Sequence, residues 1–111
     1  MYQVKEQDWK LFRQRLPDWQ ENYMDRLNRE YIQLLSGEGL ASDKFWELEK
    51  RVHMDKKSVG VVVEMRRSQL YSNLLSLLVN EIIREDDLTG FSEELSKAIK
   101  FAAEQSKSFV G

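Results

Sequence analysis

The most apolar run in the chain is VGVVVEMRRSQLYSNLLSLLVNEII, residues 59–83. When the run is turned at about 100° per residue, its aliphatic side chains cover more than half of the circumference. A helix that is apolar over so wide an arc is buried on several sides, whereas a surface helix has a narrower stripe. The run therefore predicts a central helix over about 59–81, with Ser58 as its N-cap, packed by the other segments or by a second copy of the chain.

The same run has two alternative interpretations. Val59–Val63 has the β-branched composition of a strand, but no second strand-like run is available to pair with it, so a helix is favoured. A membrane-spanning helix is disfavoured because Glu64, Arg66 and Arg67 interrupt the ~18 uncharged residues that a span requires.

Residues from about 6 to 35 carry apolar side chains at steps of three or four, the spacing of one face of a helix. The series is Trp9, Phe12, Leu16, Trp19, Tyr23, Leu27, Tyr31 and Leu34. Pro17 lies in the middle of it, and a proline removes one backbone bond and clashes with the preceding turn. We therefore expect a long N-terminal helix kinked or broken at Pro17: a short helix, then a longer one with Pro17 in its first turn that ends at Ser36–Gly39.

Two further helices are expected. Ser42 is a good N-cap for a helix over about 43–57. The last helix carries apolar residues at Leu88, Phe91, Leu95 and Ile99, and it begins either near Asp86 or, because of Gly90, only at Ser92. We expect the tail to fray from Ser106, with Phe109 and Val110 able to dock.

Composition limits the class of protein. The 111 residues suit one domain, 1–111, and the chain has no cysteine for disulfides or thiolate chemistry. One proline and five glycines argue against an all-β fold. With 17 basic and 19 acidic residues, the net charge of −2 does not draw the protein to nucleic acid or anionic lipid. We predict an all-α, compact bundle of four to five helices in the cytoplasm, with no membrane contact, since the N-terminus lacks a signal-peptide core.

Four short segments of the chain are similar to segments of other proteins. They are Trp19-Gln20-Glu21-Asn22-Tyr23, Ser42-Asp43-Lys44-Phe45-Trp46, Glu64-Met65 with Arg67-Ser68, and Asp87-Leu88 with Phe91-Ser92. With these segments the chain resembles a group of short, uncharacterised bacterial all-helical proteins. The resemblance covers most of the chain and implies a compact helical domain, and it brings no activity, cofactor or catalytic residue.

Three residues of the central run form a candidate polar cluster. Glu64, Arg67 and Tyr71 have helical spacing on or beside the apolar arc, where a charge must be paired or hydrated. The favoured interpretation is a structural Glu64–Arg67 ion pair covered by Tyr71. The alternative is a small pocket that binds an anionic or planar ligand through Arg67.

Charge is unevenly distributed along the chain. Residues 44–67 contain seven basic and four acidic residues, whereas residues 81–94 contain six acidic and one basic residue. A candidate basic face consists of Lys50, Arg51, Lys56 and Lys57. It is consistent with a nucleic-acid-associated regulator, but no nucleic-acid motif accompanies it, and a solvated surface is the simpler interpretation.

No catalytic or metal-binding pattern is present in the sequence. His53 is the single histidine, and no His-x-x-x-His or Asp-x-Asp spacing exists to complete a metal site, so we expect no metal or other cofactor and no enzyme activity. The leading hypothesis is a helical protein–protein interaction module that docks a protein partner or forms a homodimer. Its candidate interface comprises Leu75, Leu78 and Val79 of the central helix together with Trp46.

Overall fold

The chain folds into four α-helices in a computed structural model that describes residues 2–110, with side chains from Tyr2 to Lys107. The helices are α1 (Glu6–Ser36), α2 (Ala41–Asp55), α3 (Leu70–Val79) and α4 (Glu93–Val110). Two short 3₁₀ turns are also present: Arg67–Gln69 immediately precedes α3, and Glu85–Leu88 lies between α3 and α4. No strand occurs within residues 2–110, so the predicted all-α bundle is confirmed.

The core lies where the first half of α1 packs against α3 and α4. Its fully buried side chains come from all three helices and from the turn before α4, and they include Phe12, Leu70, Leu74, Leu77, Leu88, Leu95 and Ile99. Trp9 and Trp19 lie on either side of Phe12, each with a ring-centroid distance of 6.3 Å. The apolar series of α1 predicted this contact face as far as Trp19.

α1 continues through Pro17 as a single α-helix of 31 residues. The predicted long N-terminal helix is therefore confirmed, whereas the predicted break into two helices at Pro17 is wrong. A proline inside a helix costs ~3 kcal/mol, but the flanking Leu16 and Trp19 are both buried in the core and anchor the helix on each side of it. Burying two such side chains stabilises the helix by ~3–6 kcal/mol, at ~1.5–3 kcal/mol each, which offsets the cost of the proline.

The predicted central helix over 59–81 is also wrong in its first half, because only Leu70–Val79 is α-helical. Residues 56–66 form turns and extended chain. Gly60 lies directly under the ring of Tyr23, so close that a Cβ atom there would be 2.3 Å from it. Ser58 caps no helix, and its hydroxyl oxygen accepts the N–H of Gly60 at 3.1 Å. The close approach of Gly60 to α1 holds the valine-rich segment in a turn.

The helix ends differ from the predictions in detail. α2 follows Leu40, without a side-chain cap from Ser42. α3 ends in a Schellman motif in which the N–H of Ile82 donates to the carbonyl of Leu77 at 2.9 Å. Glu81 takes the left-handed position of that motif, with φ of 58°, where glycine is usual. α4 remains helical to Val110, beyond the expected fraying point, and the docking expected of Phe109 and Val110 concerns side chains outside the described residues.

A buried carboxylate joins the start of α1 to the start of α4. Asp8 is fully buried and accepts the Ser92 N–H at 2.7 Å, the Ser92 hydroxyl at 2.6 Å and the Tyr2 hydroxyl at 2.6 Å. Burial and the bond to this carboxylate raise the pKa of Tyr2 to about 12. The Ser92 hydroxyl oxygen in turn accepts the N–H of Leu95 at 3.3 Å, so the first turn of α4 is capped by Ser92, which Asp8 holds in place.

The last nine residues of α1 (28–36) and the whole of α2 form a helical hairpin, residues 28–55, that we call the arm. The rest of the described chain is the body. The radius of gyration of the Cα atoms is 16.7 Å, whereas a compact domain of this length is expected near ~13 Å. The molecule measures 52 × 33 × 21 Å, and none of the residues of α2 is buried. The arm therefore extends from the body with most of its surface in solvent.

Candidate docking surface on the arm

Polar bonds between facing side chains hold the two helices of the arm together. The hydroxyl of Tyr31 donates to the carboxylate of Asp55, and Arg51 contacts Glu30 at 2.9 Å. Near the tip, the ammonium of Lys44 donates to the carbonyl of Leu35 at 3.2 Å. Burial and the Asp55 carboxylate raise the pKa of Tyr31 to about 12. These contacts use the inner face of α2 and leave its outer face exposed to solvent.

Large apolar side chains are exposed around the free end of the arm. We call this surface the tip patch, and it consists of Ile32, Leu35, Leu40, Phe45 and Trp46. Phe45 is 61% exposed and Trp46 64%, and their rings pack edge to face at 4.9 Å. With ~200 Å² for each aromatic ring and somewhat less for each aliphatic side chain, the patch exposes roughly 500 Å². That is near the upper end of what a monomeric protein leaves uncovered, and such patches commonly mark interaction sites.

The outer face of α2 is defined by the helical repeat. At 100° per residue, Lys44, Leu48, Arg51 and Asp55 point toward α1, and together with Val52 they are the partly buried residues of the helix. The opposite side carries exposed residues only, among them Ser42, Trp46, Glu49, Lys50 and His53, with Asp43 and Met54 at its edge. This face combines two large apolar side chains with charges of both signs.

The predicted polar cluster is not assembled. Glu64 lies in the extended segment and pairs with Arg66 at 2.7 Å, and the Arg67 guanidinium pairs with Glu6 of α1. Both pairs are about half exposed or more, so each contributes little to stability. Tyr71 lies on α3 and packs against the core. The non-helical backbone over 59–66 is what separates Glu64 from Arg67, because the predicted spacing required a continuous helix.

The four residues of the predicted basic face do not lie on one face. Lys50, Lys56 and Lys57 are exposed, but Arg51 faces α1, where it contacts Glu30 and lies over the ring of Tyr31 at 5.6 Å. Arg51 thus holds the arm together. The remaining three lysines do not form a continuous basic surface with it.

The predicted interface residues are divided between the body and the arm. Leu75 and Leu78 are partly buried against the core, while Val79 is 41% exposed. Leu78 and Val79 line a cleft of about 570 Å³ at the end of α3, whose rim includes the strained residue Glu81. Trp46, by contrast, lies on the arm. The sequence therefore identified one residue of the tip patch and placed it with the wrong neighbours.

The remaining members of the tip patch were missed by sequence reasoning, although a signal for two of them existed. Ile32 and Leu35 each lie one residue beyond the stripe position Tyr31 or Leu34, so they point away from the face that the stripe buries. Phe45, Leu48 and Val52 have the spacing of one helical face, a pattern that predicts burial, yet Phe45 is exposed. Whether Phe45 is buried depends on how α2 is oriented against α1, and the sequence does not give that orientation.

The described residues give no sign of a metal site or a membrane span. No group of three acidic or histidine side chains suited to a metal ion occurs among them, and His53 is exposed. None of the described helices has the length and hydropathy needed to cross a bilayer.

The chain was compared with protein-family models, with curated proteins and with solved structures. None of the three comparisons finds a match. The resemblance to short bacterial helical proteins stays a prediction, and the function must be inferred from the arm itself.

Proposed function

We propose that this protein is an interaction module that docks another protein chain through the tip patch of its arm. The observation that carries the proposal is the pair of exposed aromatic rings at the free end of the arm. Phe45 and Trp46 are each about two-thirds exposed and their rings pack against each other at 4.9 Å, whereas Phe101, an exposed aromatic residue of α4, has no ring contact among the described residues. Exposing these side chains on the arm does not contribute to the stability of the body.

The composition of the tip patch supports docking. A few residues near the centre of an interface supply most of its binding energy, and tryptophan, as at Trp46, is among the residue types enriched there. Polar residues surround the patch, with Glu38, Asp43, Glu47 and Glu49 in the same part of the arm. An apolar centre with a charged rim is the usual arrangement of protein-binding surfaces.

The contribution of one aromatic residue can be estimated from its exposure. Covering the exposed 61% of Phe45 removes about 120 Å² of apolar surface from water, which at ~25 cal/mol per Å² is worth ~3 kcal/mol. Replacing Phe45 by serine is therefore expected to weaken docking by ~100-fold. The fold should be unaffected, because Phe45 contributes nothing to the core.

Site-specific photo-cross-linking in the native host tests the proposal. A benzoylphenylalanine at position 45 is expected to give discrete adducts. The same group at position 101 is the matched control, because Phe101 is an aromatic residue of α4 with a similar exposure of 67%. Adducts from 45 should disappear when Leu40→Asp is added. Equal labelling from both positions, or no adduct from 45, would refute the tip patch as a docking surface.

A further inference from the structure

We infer that the chain docked on the arm is an amphipathic helix of another protein that carries basic residues beside its apolar stripe. This inference rests on the proposed function and gives the chemistry of its partner. Two observations support it. The apolar side chains of the tip patch share one side of the helical hairpin, and the exposed charges around them are mostly acidic.

An ion pair identifies the two sides of the hairpin. Arg51 of α2 contacts Glu30 of α1 at 2.9 Å, so these two residues lie on the same side. At about 100° per residue, Leu35 lies about 140° around α1 from Glu30. Phe45 lies about 120° around α2 from Arg51 by the same count. Each rotation crosses the face where the two helices meet, so Leu35 and Phe45 both lie on the side opposite the ion pair.

The side opposite the ion pair is apolar. Leu35 and Phe45 are exposed there, and the partly buried Val52 lies on the same side of α2. Ile32 extends this surface along the outer edge of α1, and Trp46 extends it around α2 through its contact with Phe45. Apolar side chains from two neighbouring helices form a groove of the kind that binds the apolar face of a third helix.

The free end of the arm carries negative charge. Residues 36–49 contain one basic residue, Lys44, whose ammonium donates to the carbonyl of Leu35. The four acidic residues in the same segment are all exposed, and they are Glu38, Asp43, Glu47 and Glu49. None of these four forms an ion pair with a residue in the described part of the chain. Their charge is therefore open to a partner of opposite sign.

The acidic residues lie beside the aromatic rings. Glu49 follows Phe45 by four residues and Trp46 by three, so it lies next to both on the helix surface. Asp43 precedes Trp46 by three residues and lies on its other side, and Glu38 is in the turn between the helices. A lysine or arginine of the docked helix can cover a ring with its stem while its charge reaches a carboxylate. The same carboxylates repel nucleic acid and anionic lipid.

Charge variants combined with cross-linking from position 45, in extracts of the native host, test this chemistry. Glu38→Lys together with Glu49→Lys should lower the yield of the adduct by about 10-fold, because basic residues of the docked helix would then meet like charges. The matched control is Asp18→Lys together with Glu21→Lys. It makes the same change of charge at exposed positions of α1 in the body and should leave the yield unchanged.

A variant of opposite sign separates this effect from a folding defect. Lys50→Glu adds an acidic residue one turn from Trp46 and should raise the yield, with circular dichroism confirming the helix content of every variant. Raising the salt from about 50 mM to about 500 mM should lower the wild-type yield, because exposed charges are then screened. Mass spectrometry should place the cross-link in a segment with lysine or arginine beside apolar residues at helical spacing.

The outcomes separate the partner from the docking function. An adduct that Glu38→Lys with Glu49→Lys leaves unchanged, or that the control weakens equally, overturns the inference. So does a yield that falls with Lys50→Glu, or a cross-link in an acidic segment or in a second copy of this chain. In each of these cases position 45 still captures a protein, so the docking function stands. The absence of any adduct from position 45 refutes the docking function and the inference together.

Discussion

Removing the carboxylate of Asp8 should strongly destabilise the protein, although Asp8 lies far from the proposed docking surface. The side chain is fully buried and accepts three hydrogen bonds of 2.6–2.7 Å, two from Ser92 and one from Tyr2. Asp8→Ala leaves those three donors without their acceptor. Each buried donor left unsatisfied costs ~1–3 kcal/mol, and partial access of water to Tyr2 reduces its share. We expect a loss of about 4 kcal/mol in the free energy of unfolding.

The conservative variant Asp8→Asn separates hydrogen bonding from packing. The amide oxygen can still accept the N–H of Ser92, but the amide nitrogen replaces the oxygen that accepts both hydroxyls. We expect Asp8→Asn to cost about 2 kcal/mol, half of the alanine value. The control is Asp18→Ala, which removes an exposed carboxylate from the same helix and should cost less than ~0.5 kcal/mol.

Urea unfolding followed by circular dichroism measures these free energies, and thermal melts should shift by ~4 °C for each kcal/mol. Combining Asp8→Ala with Ser92→Ala gives a double-mutant cycle in which the two costs should fail to add by more than ~1 kcal/mol, because both changes remove the same bonds. An Asp8→Ala cost below ~1 kcal/mol, or full additivity with Ser92→Ala, would show that this carboxylate does not hold α4 to α1.

Three further changes test other parts of the fold. Glu81→Gly should stabilise the protein by about 1 kcal/mol in urea unfolding, because glycine takes the φ of 58° at the end of α3 without strain; an unchanged midpoint would mean that Glu81 makes a compensating contact. Gly60→Ala should destabilise by ~1–3 kcal/mol because its Cβ would overlap the Tyr23 ring, and most of that loss should vanish in a Tyr23→Ala background. Tyr31 has its pKa raised from 10.0 to about 12, so its contribution to stability is complete below pH 10 and is lost as the pH rises toward 12. Absorbance titration of the phenols measures the pKa directly. Unfolding at pH 9 and 11.5 should show that Tyr31→Phe loses less stability between these two pH values than the wild-type protein does, and identical losses would contradict the assigned pKa.

Local sequence patterns predicted the parts of the fold in which each helix buries a face of its own. The spacing of Phe12, Leu16 and Trp19 identified the core face of α1, and Leu95 with Ile99 identified that of α4. Both patterns are amphipathic, so one orientation buries them and no long-range information is needed. The candidate sites were less predictable. Glu64 and Arg67 would be neighbours only if one helix ran through both of them, and the close contact between Gly60 and Tyr23 keeps that segment out of a helix.

The sequence by itself determined that this chain is all-helical, since helical periodicity recurs along it and strand signals are confined to one short valine run. Only the tertiary structure decided where that helicity stops. Packing of Leu16 and Trp19 carried α1 through Pro17, and the approach of Gly60 to Tyr23 turned the valine run out of α3. The exposure of Phe45 and Trp46 was decided in the same way. Burial depends on which faces meet in space, and single-helix periodicity cannot specify that α2 packs against the C-terminal end of α1 and leaves its outer face in water.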